Sequence, residues 1–108
     1  MPFIHIVLVK VKDSIVNDAA AFTELKQNCN QLAQLEVVKK TAPQIAWGPP
    51  VYPERANGHN WGLYTTFESK EKYEEYAQDE GHKSWAKTKL FPNTDGKSLF
   101  YNLICGSG

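Results

Sequence analysis

Cysteine is scarce in this chain of 108 residues: only Cys29 and Cys105 occur, with no CxxC spacing and no framework of four or six. That excludes a disulfide-stapled scaffold, and both residues read as reduced thiols in a protein expected in the cytoplasm. Net charge is missing as well. Lysine plus arginine and aspartate plus glutamate number 12 each, so no long-range field steers the chain toward nucleic acid or an anionic membrane. No run approaches the roughly 20 apolar residues of a membrane span. The opening Met1-Pro2-Phe3-Ile4-His5-Ile6-Val7-Leu8-Val9-Lys10 lacks a basic n-region and a small-residue cleavage site, and reads as a strand rather than a signal peptide. Also absent are a phosphate-cradling glycine loop, a basic-aromatic stripe and an internal repeat. Asp79, Glu80 and His82 cluster, but without HxH, HExxH or a second histidine at i+4. No metal is therefore expected.

What is present is the patterning of one domain, since this length supports one core and not two. It is expected over residues 1–105, with Gly106-Ser107-Gly108 as a flexible tail. Residues 3–12 read as a strand with Phe3, Val7, Val9 and Val11 on one face and Ile4, Ile6 and Leu8 on the other. Both faces of its sheet need a cover. Phe22, Leu25, Cys29 and Leu32 step by three and four, which predicts an amphipathic helix over about 18–35. Gln44-Ile45-Ala46-Trp47 is a short apolar piece, followed by an irregular stretch, 49–60, that is a candidate pocket rim. Residues 61–67 alternate as a strand, and Ser69 is placed to cap a helix with Tyr73, Tyr76 and Ala77 on one face. Gly81 is expected to end that helix in the left-handed conformation. A second short helix then starts at His82, buries Trp85 and runs to Leu90-Phe91-Pro92; a turn at 93–96 leads to a last strand, 98–104, with Leu99, Tyr101 and Leu103 on one face. The order β-α-β-β-α-β predicts an α+β, ferredoxin-like fold: a four-stranded antiparallel sheet with helices on one face. The uncovered sheet face predicts a homodimer in which two sheets meet.

Tyr76 and His82 flank the expected helix break, and phenol and imidazole are well suited to moving protons near neutral pH. His5 lies on the apolar strand face, where an imidazole needs a hydrogen-bond partner whether or not it meets a substrate. Each also has a plain packing reading: His82 bonded to a backbone carbonyl or facing water, Tyr76 on the stripe it shares with Tyr73, His5 as a satisfied core histidine. Val7, Phe22, Trp61 and Trp85 are expected beside His5 as substrate-binding positions of an apolar pocket, with ordinary core packing as the rival. His59, in the polar loop, is expected to be solvated. Neither thiol has an activating base nearby in sequence.

Taken together these residues resemble the stress-responsive dimeric α/β-barrel (Dabb) family. The likeness is carried by His5-Ile6-Val7-Leu8-Val9-Lys10-Val11-Lys12-Asp13, Trp47-Gly48, Thr66-Phe67-Glu68-Ser69, and Tyr76 followed by His82, and it spans nearly the whole chain. It implies a dimeric α/β barrel. By likeness to the family's olivetolic acid cyclase, it also implies a cofactor-independent cyclase or lyase acting on a small polyketide-like carbonyl substrate by aldol-type chemistry. Carried over position by position, it implies His82 and Tyr76 as catalytic residues and His5 as a pocket histidine. Neutral His82 would abstract a proton between two carbonyls while Tyr76 hydrogen-bonds the oxygen where charge collects. The chain departs from the plant pattern in Asp79-Glu80-Gly81, in a longer loop over 49–60, and at Trp61. The family's heat-stable plant proteins imply a second reading, a non-catalytic stress or small-ligand-binding dimer. Related dimeric-barrel monooxygenases imply a third, cofactor-free oxygenation after the same proton abstraction.

Overall fold

The computed structural model describes residues 2–105; the expected tail, 106–108, lies outside them. Alternate side chains of the first strand, β1 (Phe3–Val11), are buried: Phe3, His5, Val7, Val9 and Val11. Ile4, Ile6 and Leu8 point to the other face and are half-buried. β1 is central because it is apolar on both sides. It pairs antiparallel with β3 (Trp61–Phe67) and with β4 (Thr94–Ile104), and β2 (Gln44–Gly48) extends the sheet beyond β3. The order β2-β3-β1-β4 is the ferredoxin-like, α+β arrangement expected from the element sequence.

The helices lie on the His5 side. α1 (Asp13–Val16) is a single turn, and α2 (Ala19–Leu32) packs Leu25, Cys29 and Leu32 onto the sheet. Asp18 caps α2 by accepting from the Ala20 and Ala21 amides. The expected continuation to residue 35 does not occur. After a turn, a separate helix, α3 (Glu36–Thr41), buries Val37, Val38 and Thr41. α4 (Lys70–Gln78) starts at Ser69, whose hydroxyl accepts from the Lys72 amide, and Lys40 of α3 pairs with Glu75 of α4 at 2.8 Å.

Two expected boundaries are corrected. Gly81 does not stop α4 and is not left-handed: it lies inside α5 (Glu80–Trp85). The break falls at Asp79, extended at φ −66° and ψ 131°, whose carboxylate caps α5 through the His82 amide at 2.9 Å. A Cβ on Gly81 would stand 3.0 Å from that carboxylate, so glycine here leaves room for the cap. α5 thus begins at Glu80 and not at His82, and the Trp85 indole anchors it by donating to the Asn28 carbonyl of α2 at 2.7 Å. A wide turn (Ala86–Leu90) and a tight one (Phe91–Asn93) follow. The second correction concerns β4, which begins at Thr94 and not at 98. The expected turn residue Gly96, at φ 66°, instead accompanies a register shift opposite Leu8 and Lys10, as in a bulged edge strand.

No helix covers the other sheet face, where Ile6 lies between Tyr64 and Tyr101, and Leu8 is paired with Leu99. Leu99 and Tyr101 are 47% and 56% exposed. Among the described residues, no helix is long and apolar enough to cross a membrane.

Candidate active site

Tyr73 and Tyr76 sit three residues apart on α4 and therefore share the face that meets the sheet. Tyr73 stacks on Phe3 with centroids 4.6 Å apart, and Tyr76 packs against Phe67 at 5.1 Å. The Asp79 break then turns the chain back, so that the His82 ring lies 3.9 Å from the Tyr76 ring. His5 reaches the same place from β1, 4.9 Å from Tyr73 and 6.2 Å from Tyr76. Together these groups border a cavity of about 280 Å³, with Val7, Leu63 and Trp47 toward the sheet and Trp85, Ala86 and Leu90 toward the helices. Phe91 and Phe100, centroids 6.2 Å apart, border it at the β4 side.

Burial sets the protonation of the polar groups. It pushes the Tyr76 phenol far above its ordinary value, with Tyr73 adding in the same direction, so the hydroxyl keeps its proton at neutral pH. Burial also lowers the His82 imidazole, and a positive His5 would lower it further; the nearby Ala77 carbonyl and the Asp79 carboxylate act the other way. His82 Nδ1 is buried and, among the described residues, has no partner at full hydrogen-bond geometry. His5 is lowered by burial, against the bond that its Nδ1 donates to Asn102 Oδ1. Both imidazoles are thus held toward the neutral form.

Of the expected pocket residues, His5, Val7 and Trp85 join Tyr76 and His82 in this cavity, and Phe22 and Trp61 do not. Phe22 and Trp61 pack edge to face, 5.6 Å apart, away from it. The reason is the sheet's lateral spread: Trp61 opposes Val9, two pairs along the helix face from His5 opposite Thr65. Trp61 instead borders a larger hollow of about 440 Å³ that reaches the uncovered face and the 49–60 loop, with Ile6, Leu8 and Tyr64. His59 borders it too, half-buried with Nδ1 against the Ala56 carbonyl at 3.1 Å. Ring contact between a phenol and an imidazole is found at the smaller cavity, which makes it the candidate place for proton chemistry. Tyr73 and Asn102 are polar neighbours of His5 that the sequence reading passed over. Tyr73 was visible on the α4 stripe; Asn102 carried no local signal. Asp79 is engaged as a helix cap, and no three His, Cys, Asp or Glu side chains among the described residues form a group able to hold a metal. The Cys29 thiol, buried on α2, is pushed up to about 11 by desolvation, against a weaker contact with Trp61.

Comparison with known proteins gives the same architecture. At3g17210 from Arabidopsis thaliana is 26% identical, with 98% of this chain and 97% of that one covered at a TM-score of 0.79. A hydroxynitrile lyase from Passiflora edulis is 19% identical over 99% and 95% of the two chains, at a TM-score of 0.80. A dimeric ferredoxin-like protein of unknown function from Jannaschia is 16% identical over 97% and 100%, at 0.77. A search of curated protein sequences finds no significant match. The family model described as the stress responsive A/B barrel domain matches residues 3–96, and this chain belongs to that family.

Proposed function

We propose that this protein is a cofactor-independent lyase or cyclase that makes or breaks a carbon–carbon bond next to a carbonyl, with His82 as base and Tyr76 as oxyanion donor. The observation that carries this reading is the 3.9 Å contact of the two rings at the wall of a mainly apolar cavity that they share with His5 and Tyr73. Desolvation supports the division of labour, since it favours a neutral imidazole and a protonated phenol together. With Nδ1 sealed away, proton exchange runs through Nε2. In the aldol direction, Nε2 takes the proton between two carbonyls and Tyr76 hydrogen-bonds the enolate oxygen. The carbanion then attacks a second carbonyl carbon of the same substrate, and the new alkoxide takes the proton back from the imidazolium. Run in reverse on a hydroxyl substrate, the same groups take the hydroxyl proton and return it to the departing carbanion. The name of the Passiflora relative supports this general class, and a polyketide-like substrate is the specific form that we favour.

The active form we propose is a homodimer closed through the uncovered sheet face, in keeping with the dimeric Jannaschia relative. Two assays test the reaction. The protein is incubated with a linear poly-β-keto thioester and analysed by mass spectrometry for a cyclised product, and in parallel with mandelonitrile, following benzaldehyde release. Turnover in either, unchanged by EDTA and lost in His82→Ala, is expected. Binding of an aromatic acid to the cavity with no turnover in either assay would reject the enzyme in favour of a ligand-binding dimer, the reading that the apolar cavity supports on its own.

A further inference from the structure

Asn102 stands opposite His5 across the β1–β4 ladder, and so faces the cavity side of the sheet. Its oxygen accepts a hydrogen bond from His5 Nδ1. An amide oxygen can only accept, and the His5 nitrogen facing it must therefore carry the proton. In a neutral imidazole the other nitrogen is then a bare acceptor. His5 is 5% exposed, it lines the cavity, and its Nε2 has no hydrogen-bond partner among the described residues.

We propose that Asn102 is a positioning residue: it holds His5 as the Nδ1–H tautomer, which presents Nε2 as a second acceptor in the cavity, alongside His82, for a hydroxyl or enol of the substrate. The two imidazoles lie 6.2 and 3.9 Å from the Tyr76 ring. One phenol donor flanked by two acceptors matches an enolised β-dicarbonyl or a β-hydroxycarbonyl compound better than a simple ketone. The tautomer assignment stands on the His5–Asn102 hydrogen bond and strand register, whereas its kinetic consequence rests on the acid–base reading above.

Uniformly ¹⁵N-labelled protein, studied by long-range ¹H–¹⁵N correlation well above the histidine pKa, separates the two claims. In the wild type, His5 is expected to show a protonated Nδ1 and a bare Nε2. Asn102→Leu should shift it to the Nε2–H form or a mixture, and Asn102→Asp, which still accepts, should preserve it. Asn102 is exposed on an edge strand, so these changes leave the core intact; Asn102→Ser serves if the leucine variant does not fold. An Nε2–H wild type, or a tautomer unmoved in both Asn102→Leu and Asn102→Ser, would overturn the proposal. In turnover, Asn102→Leu should lower kcat at least about 10-fold with little change in KM, less than the ~10²–10⁴-fold expected for removing the acid–base group itself. The aspartate variant should retain most of the rate. If the tautomer behaves as expected and no substrate is turned over, the acid–base reading fails while the positioning of His5 stands.

Discussion

At the scale of single residues, the Tyr76–His82 contact makes the sharpest claim. Tyr76→Phe keeps the ring that packs on Phe67 and removes only the donor; His82→Ala removes the base and a ring that is half-buried. Each is expected to cut turnover by roughly 10² or more, with a combined loss smaller than the product of the two, because both act on one transition state. Melting temperatures should barely change for Tyr76→Phe. A His82→Ala protein with full turnover and a lowered melting temperature would show a packing histidine instead. The two lowered imidazoles also set an acid limit. Burial lowers both His5 and His82 below the ordinary histidine value of about 6.5 in the folded state, so as pH falls the denatured chain binds protons first. Stability should therefore decline from about pH 6.5 downward, until the folded pKa values are passed. Thermal melts across that range check the sign, and His82→Ala should flatten the decline. Tyr76, His82 and His5 were legible in the sequence because their chemistry is distinctive and their neighbours are apolar. Asn102 was not, since its partner is 97 residues away and an asparagine on an edge strand has no pattern of its own. Phe22 and Trp61 miss the pocket because the periodicity of a helix or a strand reports which face a residue takes, but not how far along the sheet it lies.

At the scale of elements, the position of α5 decides whether His82 reaches the cavity at all. Two bonds hold it: the Asp79 cap on the His82 amide and the Trp85 indole on the Asn28 carbonyl. Trp85→Phe should keep most of the buried ring and lose the second bond, leaving the Asn28 carbonyl without that donor, at a cost of about 1–2 kcal/mol. Chemical denaturation measures that loss. A matching fall in turnover is expected, since α5 carries the proposed base. The periodicities of β1, α2, β3 and α4 were strong enough to read directly, because each buries one regular stripe. α3 escaped because Val37-Val38 is a pair of adjacent β-branched residues, with no room in six residues for a helical repeat to show. Gly81 misled for a different reason. Glycine is used where φ is positive but also where a Cβ would crowd a neighbour, and at Gly81 the neighbour is the cap carboxylate at 3.0 Å.

For the whole molecule, the unresolved physical demand is the sheet face without helices. Ile4, Ile6 and Leu8 are only half-covered there, beside Tyr64, Leu99 and Tyr101, which are 39%, 47% and 56% exposed. Covering one large apolar side chain is worth about 1.5–3 kcal/mol when complete, and a second copy offers the same apolar row in return, as an isologous two-fold contact requires. A lasting dimer needs about 1,200–2,000 Å² of total buried surface, an area that two apposed four-stranded sheets supply. Leu99→Asp and Tyr101→Asp are the informative changes. Both positions are already exposed within one copy, so the monomer fold tolerates the charge, whereas in a dimer each substitution would bury two carboxylates, one from each copy. Sedimentation at micromolar concentration should show a dimer for the wild type and monomers for the double variant, with circular dichroism unchanged. A wild-type monomer under those conditions would remove the dimer from the proposal. A double variant that stays dimeric would move the interface to another surface. The candidate cavity lies on the opposite face, bordered by residues of one copy, so the monomeric variant should also retain the Tyr76–His82 contact and, on the proposed mechanism, measurable turnover.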